Sequence, residues 1–241
     1  VWTIESGQGA GLKVSDIRNP EYILGSSELP VQEAFARQVR PGDVIYDVGA
    51  NLGFFSVIAA KLVGPTGQVY SFEPVTENAT TIRRNASLNG LSNLTPFELA
   101  VGSRAGNLEL LLSDWNGGAS LSPTSVKPTE AVARRTVRVV ALDDFIAEER
   151  LRPPTFVKID VEGFELEVMQ GMAKTIAASQ PTLLFEVDDG DRTVFEQRWR
   201  ELDDYIAGFG YRIVHLENSY SNTKWYVGHS LAQPGEFQKG N

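Results

Sequence analysis

Residues 44–53 read Val-Ile-Tyr-Asp-Val-Gly-Ala-Asn-Leu-Gly, and apolar residues follow them at helical intervals, at Phe55, Ile58, Ala59 and Leu62. A short apolar run, a glycine-containing turn and an amphipathic segment predict a strand, a tight loop and a helix in immediate succession. Glycines in such a loop let backbone amides approach a ligand, and the start of the helix adds a partial positive charge. The stretch therefore predicts a ligand-binding turn in an α/β fold.

The rest of the chain repeats this alternation of apolar runs and helical segments. Helical spacing between most of the runs favours parallel strands joined by crossovers. Only the short connector 217–223 separates the last two runs, so the last strand is expected to be antiparallel. The further strands are predicted at residues 68–72, 96–101, 156–159, 182–187, 211–216 and 224–228.

The N-terminal region lies outside this alternation. Residues 1–40 show weak strand signals at 12–17 and 22–24, followed by a helical pattern. They are expected to form a cap segment that packs on a single core domain of residues 41–241.

A second exception interrupts the middle of the chain. Strand-like stretches at 107–112 and 136–140 flank a stretch rich in Gly, Ser and Pro, which predicts a β-hairpin insertion with a long loop. Long loops inside compact domains often act as lids or binding surfaces. We expect this loop to contact the substrate through Trp115, Asn116 and Ser120, which would offer an aromatic surface and hydrogen bonds.

Composition narrows the class of protein. The 241 residues carry 22 Lys and Arg against 31 Asp and Glu, a net charge of −9 that repels a polyanion, so no nucleic acid is expected as a partner. Cys is absent and His occurs twice, which argues against disulfides, thiolate sites and His-rich metal sites. With no long apolar run and no visible signal peptide, a cytoplasmic protein without membrane contact is expected, although the first residue, Val1, hints at residues missing upstream.

An acidic residue marks the end of the second predicted strand. Glu73 stands twenty residues after Gly53, where doubly wound folds place a carboxylate that accepts hydrogen bonds from ribose hydroxyls. A dinucleotide loop has glycine where this loop has Asn51, and Asp47 before the loop would repel a pyrophosphate. Asp47 tolerates an ammonium or a sulfonium, which favours S-adenosylmethionine over NAD. The structural alternative is that the glycines, Gly49 among them, only form a tight turn and Glu73 only caps a helix.

Five short motifs carry a family resemblance. They are Asp47 to Gly53, Phe72-Glu73-Pro74, Asn85 with Leu88-Asn89, Leu142-Asp143-Asp144-Phe145 and Lys158-Ile159-Asp160-Val161-Glu162-Gly163. Together they resemble the FkbM-type S-adenosylmethionine-dependent methyltransferases, over roughly residues 40–190, and the last motif is the most specific.

The resemblance implies a class I, Rossmann-like methyltransferase fold, with a doubly wound, mostly parallel seven-stranded sheet and an antiparallel last strand. It also implies S-adenosylmethionine as cofactor, S-adenosylhomocysteine as product and transfer to a hydroxyl oxygen, commonly of a sugar, polyketide or similar natural product. The cofactor-binding residues expected from the loop and the resemblance are Asp47, Gly49, Asn51, Gly53, Glu73 and Asp160.

Asp160 follows the fourth strand of the alternating fold. The first and fourth strands are neighbours at the switch point of a doubly wound sheet, so Asp160 is expected beside the cofactor. It would bind the ammonium of the cofactor, orient the acceptor hydroxyl, or cap the helix that follows. Lys158 lies on the same face of the strand as Asp160 and is expected to pair with a nearby carboxylate.

A base would assist the reaction, because an aliphatic hydroxyl is a poor nucleophile. Glu186, near the end of the fifth strand, is one candidate catalytic residue; alternatively, it accepts hydrogen bonds from backbone amides or Lys158. His215, at the end of the sixth strand, is either a second candidate base or a packed histidine. His229 is expected at the surface beyond the last strand.

A metal is a rival use of the same carboxylates. Asp160 and Glu186, with Asp188 close by, would suit Mg²⁺ through oxygen ligands and waters. The acidic run over residues 186–191 is more typical of a solvated loop, so metal dependence stays open and is not favoured.

The sequence thus predicts an O-methyltransferase acting on a small hydroxylated molecule. One alternative is an NAD-dependent oxidoreductase, which Asn51 and the lack of an evident Tyr-x-x-x-Lys pair oppose, and another is a noncatalytic nucleoside-cofactor-binding protein. Methylation of nucleic acid or amino groups is disfavoured because residues 160–163 read Asp-Val-Glu-Gly in place of an Asn/Asp-Pro-Pro-aromatic motif. The identity of the acceptor and the oligomeric state stay open.

Overall fold

The computed structural model describes residues 1–16, 19–113, 119–120, 131–220 and 225–235, without the side chains of residues 112–113, 119–120 and 131–132. The strands are β1 (Trp2–Thr3), β2 (Lys13–Val14), β3 (Val44–Val48), β4 (Gln68–Phe72), β5 (Leu94–Phe97), β6 (Ala100–Val101), β7 (Gly106–Ser113), β8 (Ala119–Ser120), β9 (Ala131–Val140), β10 (Phe156–Ile159), β11 (Thr182–Asp189), β12 (Tyr211–His215) and β13 (Tyr226–Pro234). The helices are α1 (Pro20–Leu24), α2 (Leu29–Gln38), α3 (Phe54–Val63), α4 (Thr76–Leu88), α5 (Leu142–Glu149), α6 (Glu165–Gly171), α7 (Ala173–Ser179) and α8 (Arg192–Ala207).

A seven-stranded sheet in the order β12-β13-β11-β10-β3-β4-β5 forms the centre of the fold. Neighbouring strands from β11 to β5 are parallel, whereas β13 is antiparallel to both β11 and β12. The predicted mostly parallel sheet with an antiparallel last strand is confirmed. In the register, Val48 pairs with Ile159, so the turn after β3 and the residue after β10 leave the sheet side by side. This is the switch point where doubly wound folds bind ligands.

Side chains alternate along β3, so that each face of the sheet has its own apolar cluster. Ile45 faces the cluster that contains Val57 and Ile58 of α3, while Tyr46 and Val48 face the cluster that contains residues of α5 to α8. All five residues of β3 are buried, as expected for a parallel strand covered on both faces.

The N-terminal segment packs on the α3 side of the sheet. Ile4, Val14 and Phe35 belong to the same apolar cluster as residues of α3. The strand expected at 22–24 is wrong, because these residues belong to helix α1. Asn19 caps this helix by accepting a hydrogen bond from the Glu21 amide, and a proline follows the cap, so the local start signal overrides the β propensity of the apolar side chains.

The predicted insertion forms a second sheet, in the order β6-β9-β7-β8. Strands β7 and β9 are antiparallel, as the hairpin prediction requires. The single strand expected at 96–101 is two strands, because the chain leaves the central sheet after Phe97 and enters the second sheet at Ala100. Pro96 has no amide hydrogen and lies on β5, the edge strand, where no ladder bond on its outer side is lost.

The last strand is longer than predicted. The expected strand at 224–228 is observed as Tyr226–Pro234, which pairs along most of its length with both β11 and β12. His229 and Ser230 interrupt the apolar pattern and hide this continuation in the sequence. Among the described helices, none combines the length and the apolar character required to cross a bilayer.

Candidate active site

The turn after β3 lines a cavity at the carboxyl ends of β3, β4 and β10, and β11 contributes to the cavity through Glu186. Gly49 has φ of 79° in this turn, and a Cβ atom there would lie 1.8 Å from the Asp160 carbonyl oxygen. Gly53 has φ of 81°, and its Cβ would lie 2.8 Å from Ile82 on α4. Both positions require glycine, the first for close approach of two loops and the second for packing of helix on helix. Gly49 and Gly53 therefore both have a structural role in this tight turn, and their role in ligand binding stays a prediction.

Glu73 lies across the cavity from Asp160 at the end of β4 and is buried. Its Oε2 accepts a hydrogen bond from the Asn51 amide at 2.8 Å, and its Oε1 accepts one from the Val75 amide at 2.9 Å. Burial raises the pKa of the Glu73 carboxyl to about 7, against the lowering effect of these hydrogen bonds. Glu73 thus accepts a hydrogen bond from the backbone just before α4 and also lines the cavity, while its binding to a ribose stays a prediction.

Asp47 is buried beneath the glycine turn and does not line the main cavity. It shares a small adjoining space with Lys158 and Asp160, and its Oδ2 accepts a hydrogen bond from Ser56 at 2.5 Å. Burial raises the pKa of Asp47, while the Lys158 ammonium opposes that rise. Within the described residues, the other carboxylate oxygen has no hydrogen-bond partner.

Lys158 and Asp160 form an ion pair with 2.8 Å between Nζ and Oδ2. The side chain of Lys158 is only 3% exposed, and its ammonium lies 5.0 Å from the centre of the Phe55 ring. Burial opposes the charge, but the carboxylates of Asp160, Asp47 and Glu28 outweigh it and raise the pKa of Lys158. The pairing expected from strand alternation is present.

Glu186 lies in the interior of β11 with its side chain on the cavity wall. Its Oε2 is 2.7 Å from Nε2 of His229, the residue opposite it on β13. Burial and the Asp160 carboxylate raise the pKa of Glu186 to about 8, although His229 opposes the rise. Within the part of the chain that the structure describes, Glu186 has no hydrogen bond to a backbone amide or to Lys158, the partners that the sequence offered as alternatives. The partner is an imidazole.

The expectation that His229 lies at the surface is wrong. Its side chain is 2% exposed because β13 continues through it between β11 and β12. The same Nε2 atom lies 3.5 Å from Oε2 of Glu28, which precedes α2. Burial lowers the pKa of His229, but Glu186 and Glu28 outweigh that effect and raise it to about 10.

His215 is not brought to the cavity. It lies on β12 at the edge of the sheet with 52% of its side chain exposed, and its Nε2 is 2.7 Å from Asp203. The predicted acceptor residues Trp115 and Asn116 lie outside the described residues. Ser120 forms part of β8, where its backbone pairs with that of Leu111; its side chain is not among those that the structure describes.

The carboxylates expected to hold a metal do not assemble as predicted. Asp188 accepts a hydrogen bond from Trp225 Nε1 at 2.6 Å and does not line the cavity with Asp160 and Glu186. The acidic run is not a solvated loop either, because β11 extends to Asp189 and both Asp188 and Asp189 are buried. A different set of possible ligand atoms, from Glu28, Glu186 and His229, lies within 4.8 Å of one another.

Several residues that line the cavity were not predicted from the sequence. The additional lining residues include Tyr22, Glu28, Asn78, Glu162 and Tyr220. Tyr22 and Glu28 lie in the N-terminal segment and Tyr220 in the connector before β13, where no motif marks a site. A polar histidine within an apolar run was the one available signal for His229.

The cavity is strongly acidic. Its lining includes five carboxylates, from Glu28, Glu73, Asp160, Glu162 and Glu186, while Lys, Arg and His are absent from the described lining. Burial raises the pKa of Glu162. Such a wall favours a ligand that carries positive charge and donates hydrogen bonds, and it disfavours phosphate groups.

Comparison with known proteins identifies the family. Residues 47–213, well over half of the chain, match the sequence model of the methyltransferase FkbM domain. The chain belongs to the FkbM methyltransferase family. The resemblance based on the five motifs is confirmed, and the FkbM match includes the glycine turn, Glu73, Asp160 and Glu186. It begins after Glu28 and ends before His229.

Two curated relatives show the range of the family. The chain is 24% identical over 167 residues to the hexuronic acid methyltransferase AglP of Haloferax volcanii, which covers 68% of this chain and 61% of the relative. It is 27% identical over 203 residues to the 31-O-demethyl-FK506 methyltransferase FkbM of Streptomyces tacrolimicus, which covers 73% of this chain and 75% of the relative. The alignment therefore spans less than two thirds of AglP.

A solved structure shares the fold. The methyltransferase FkbM from Methylobacillus flagellatus KT superposes with a TM-score of 0.55 at 19% identity, covering 84% of this chain and 50% of that chain. The chain thus has the class I α/β methyltransferase fold.

Proposed function

We propose that this FkbM-family protein is an S-adenosylmethionine-dependent O-methyltransferase that methylates a hydroxyl of a small molecule, a sugar or a natural product of polyketide or glycoside type. The observation that carries the proposal is the acidic cavity at the switch point, with five carboxylates and no cationic side chain in its described lining. The comparisons support the methyltransferase activity, and the cavity supports the choice of cofactor.

The lining residues fit S-adenosylmethionine better than a dinucleotide. The cofactor carries an ammonium, a sulfonium and two ribose hydroxyls, which are cations and donors suited to carboxylates. A pyrophosphate would meet the Glu73 and Asp160 carboxylates, and the Lys158 ammonium next to Asp160 is already paired with that carboxylate. The NAD-dependent alternative therefore has no support in the electrostatics of the site.

Each end of the cavity has a role in this proposal. Glu73 accepts hydrogen bonds from the ribose hydroxyls, beside Asn51 and Asn78, and Asp160 receives the ammonium next to the close approach at Gly49. Asp47 supports the turn from below through Ser56. When bound, S-adenosylmethionine supplies an electrophilic methyl group on a positively charged sulfur.

Glu186 is the proposed base on the acceptor side. Its carboxylate takes the proton of the acceptor hydroxyl as the new oxygen–carbon bond forms and the methyl carbon–sulfur bond breaks, with S-adenosylhomocysteine as the leaving group. A pKa of about 8 suits proton transfer around neutral pH. Asp160 lies beside it and raises that pKa, so both carboxylates contribute to the proton affinity of the site. Methylation of hexuronic acid and of an FK506 precursor is named for the two relatives, and both are hydroxylated small molecules.

Isothermal titration calorimetry tests the cofactor first. The protein is titrated with S-adenosylmethionine, S-adenosylhomocysteine and NAD, with and without EDTA. Binding of both adenosyl ligands, unaffected by EDTA and without NAD binding, supports the proposal. Binding of NAD alone would overturn it.

A further inference from the structure

A chain of ionisable groups runs from the cavity wall into the N-terminal segment. The Oε2 atom of Glu186 lies 2.7 Å from His229 Nε2, and Glu28 Oε2 lies 3.5 Å from the same nitrogen. The other oxygen of Glu28 accepts a hydrogen bond from the Tyr220 hydroxyl at 2.9 Å. Residues from the N-terminal segment and from the region 220–229 thus meet next to the Glu186 carboxylate.

This arrangement is a poor way to obtain stability alone. Removing two carboxylates and an imidazole from water is costly, and apolar residues of similar volume often serve a core at least as well. Glu28 has φ of 47°, a left-handed conformation that is unfavourable for a residue other than glycine. Among the described residues, Glu28 Oε2 has no hydrogen-bond donor and neither ring nitrogen of His229 makes a well-aligned hydrogen bond. A strained backbone and unsatisfied buried atoms at one place indicate a functional constraint.

Resting on the proposed function, we propose that His229 and Glu28 are positioning residues for the base Glu186, so that the N-terminal segment completes the acceptor side of the active site. His229 holds the Glu186 carboxylate against the cavity wall and supplies a positive charge behind it. Glu28 holds His229 from the opposite side and keeps the imidazole protonated. Tyr220 fixes Glu28 in turn.

The other groups around Glu186 make such a counter-charge necessary. The Asp160 and Glu28 carboxylates place negative charge near Glu186, and Glu162, whose pKa is raised by burial, lies near it in the loop after β10. The phenols of Tyr22 and Tyr220 lie on the N-terminal and C-terminal sides and carry no charge near neutral pH. Lys158 is already paired with Asp160. His229 is therefore the cation in direct contact with Glu186, and without it this carboxylate would stay protonated over more of the neutral range.

The three supporting residues lie outside the matched family region of residues 47–213, while Glu186 lies within it. The base thus belongs to the shared domain, and its support comes from segments on either side of that domain. Through Glu28, residues 1–40 thus help to position the base besides packing on the core.

The test uses the fact that the chain has two histidines. Imidazole nitrogen signals of the ¹⁵N-labelled full chain are followed by NMR from neutral to alkaline pH. In the wild type, His229 should remain protonated throughout the neutral range. In Glu28→Gln, the midpoint of His229 should fall by about 1–3 pH units, the usual effect of a neighbouring charge, while exposed Glu33→Gln leaves it unchanged. An unchanged midpoint in Glu28→Gln would overturn the proposal.

A second arm follows Glu186 itself through ¹³C-labelled glutamate carboxyl signals. His229→Gln should raise the Glu186 midpoint by about 1–3 pH units, because the carboxylate loses its counter-charge. An unmoved Glu186 midpoint in a folded His229→Gln variant would contradict positioning. If that variant does not fold, the Glu28→Gln arm still decides.

Divalent ions provide the third arm. Mg²⁺ and Mn²⁺ should leave the His229 signal unchanged, and selective paramagnetic loss of that signal with Mn²⁺ would overturn the proposal in favour of a metal site made by Glu28, Glu186 and His229. None of these readouts needs the cofactor or an acceptor. Failure of S-adenosylmethionine binding would therefore count against the proposed function alone, and failure of the titrations against the positioning pair alone.

Discussion

Gly49 packs its backbone against the carbonyl group of Asp160, so closely that a Cβ atom would lie 1.8 Å from that oxygen. This contact joins the turn after β3 to the loop after β10 at the cavity that Gly49 and Asp160 both line. No side chain can flex to relieve a substitution here, because both partners are backbone.

Gly49→Ala should therefore be severely destabilising and should abolish cofactor binding. The left-handed conformation alone costs about 1–2 kcal/mol for alanine, and the backbone clash adds to it. The free energy of unfolding in urea and calorimetry with S-adenosylmethionine measure the two effects. Gly90→Ala is the matched control, since Gly90 has φ of 64° with nothing within 4 Å of its Cβ position. Equal losses in the two variants would show that the contact with Asp160 is unimportant.

Lys158→Met should destabilise the fold by about 3–5 kcal/mol, because it leaves the buried Asp47 and the partly buried Asp160 without their shared cation. Urea denaturation at constant pH measures the loss. Exposed Lys174→Met is the control and should stay within about 0.5 kcal/mol of the wild type. A small effect of Lys158→Met would mean that water, and not the ammonium, stabilises these carboxylates.

Binding of S-adenosylmethionine should weaken as the pH falls through about 7. Burial raises the pKa of Glu73 to about 7, so this carboxyl gains a proton over the range in which it would have to accept from the ribose. Because the pKa of Glu73 is raised in the folded protein, its proton stabilises the native state at low pH. The charged carboxylate that the ligand needs predominates above about pH 7. Calorimetry should show an affinity that falls by up to about tenfold per pH unit below the pKa.

Glu73→Gln should remove that pH dependence together with most of the affinity. Glu148→Gln, on the exposed side of α5, should keep both. A wild-type affinity that stays constant from about pH 6 to about pH 8 would exclude Glu73 as a pH-sensitive ligand of the ribose.

Glu186→Gln should retain cofactor affinity within about twofold and lose turnover by a factor on the order of 10² to 10⁴. In the wild type, turnover should rise with pH towards a plateau above about 8, because burial and Asp160 raise the pKa of Glu186 to about 8 and the base form is absent below it. Formation of S-adenosylhomocysteine in the presence of a fractionated metabolite extract measures the rate. Undiminished turnover of the variant would eliminate Glu186 as the base.

His215→Gln should leave turnover unchanged and cost less than about 1 kcal/mol of stability, because it removes one exposed pair with Asp203 at the sheet edge. The same rate assay and urea denaturation measure both quantities. A loss of turnover comparable to that of Glu186→Gln would return His215 to the candidate bases.

The sequence was sufficient to predict that the turn after β3, Glu73 and Asp160 lie at one cavity, because their signals are local. A glycine turn, an acid twenty residues later and the acid after the fourth strand all lie at predictable strand ends, and parallel pairing brings such ends together. Asp47 shows the limit of that reasoning. The sequence places it next to the loop, but only the packing of Ser56 shows that it lies beneath the turn and not on the cavity wall.

The acceptor half was harder because its residues meet through long-range pairing. Glu186 was found from its strand end, yet its partner was not, since strand order decides that β13 lies beside β11. His229 itself, a residue of the proposed site, breaks the apolar alternation that would mark this strand in the sequence. Glu28 lies between a predicted strand that is a helix and a predicted helix, where no pattern indicates a functional side chain.

The position of β13 between β11 and β12 has a consequence for folding on the ribosome. Among the described strands, β12 pairs only with β13, so residues 226–234 must be synthesised before β12 can join the sheet. Until then β11 presents an open edge with free amides and carbonyls, a liability for association between nascent chains. Pairing of this one strand covers that edge, links β12 to the sheet and places His229 opposite Glu186. The strand that protects the sheet edge is thus also the strand that carries the partner of Glu186.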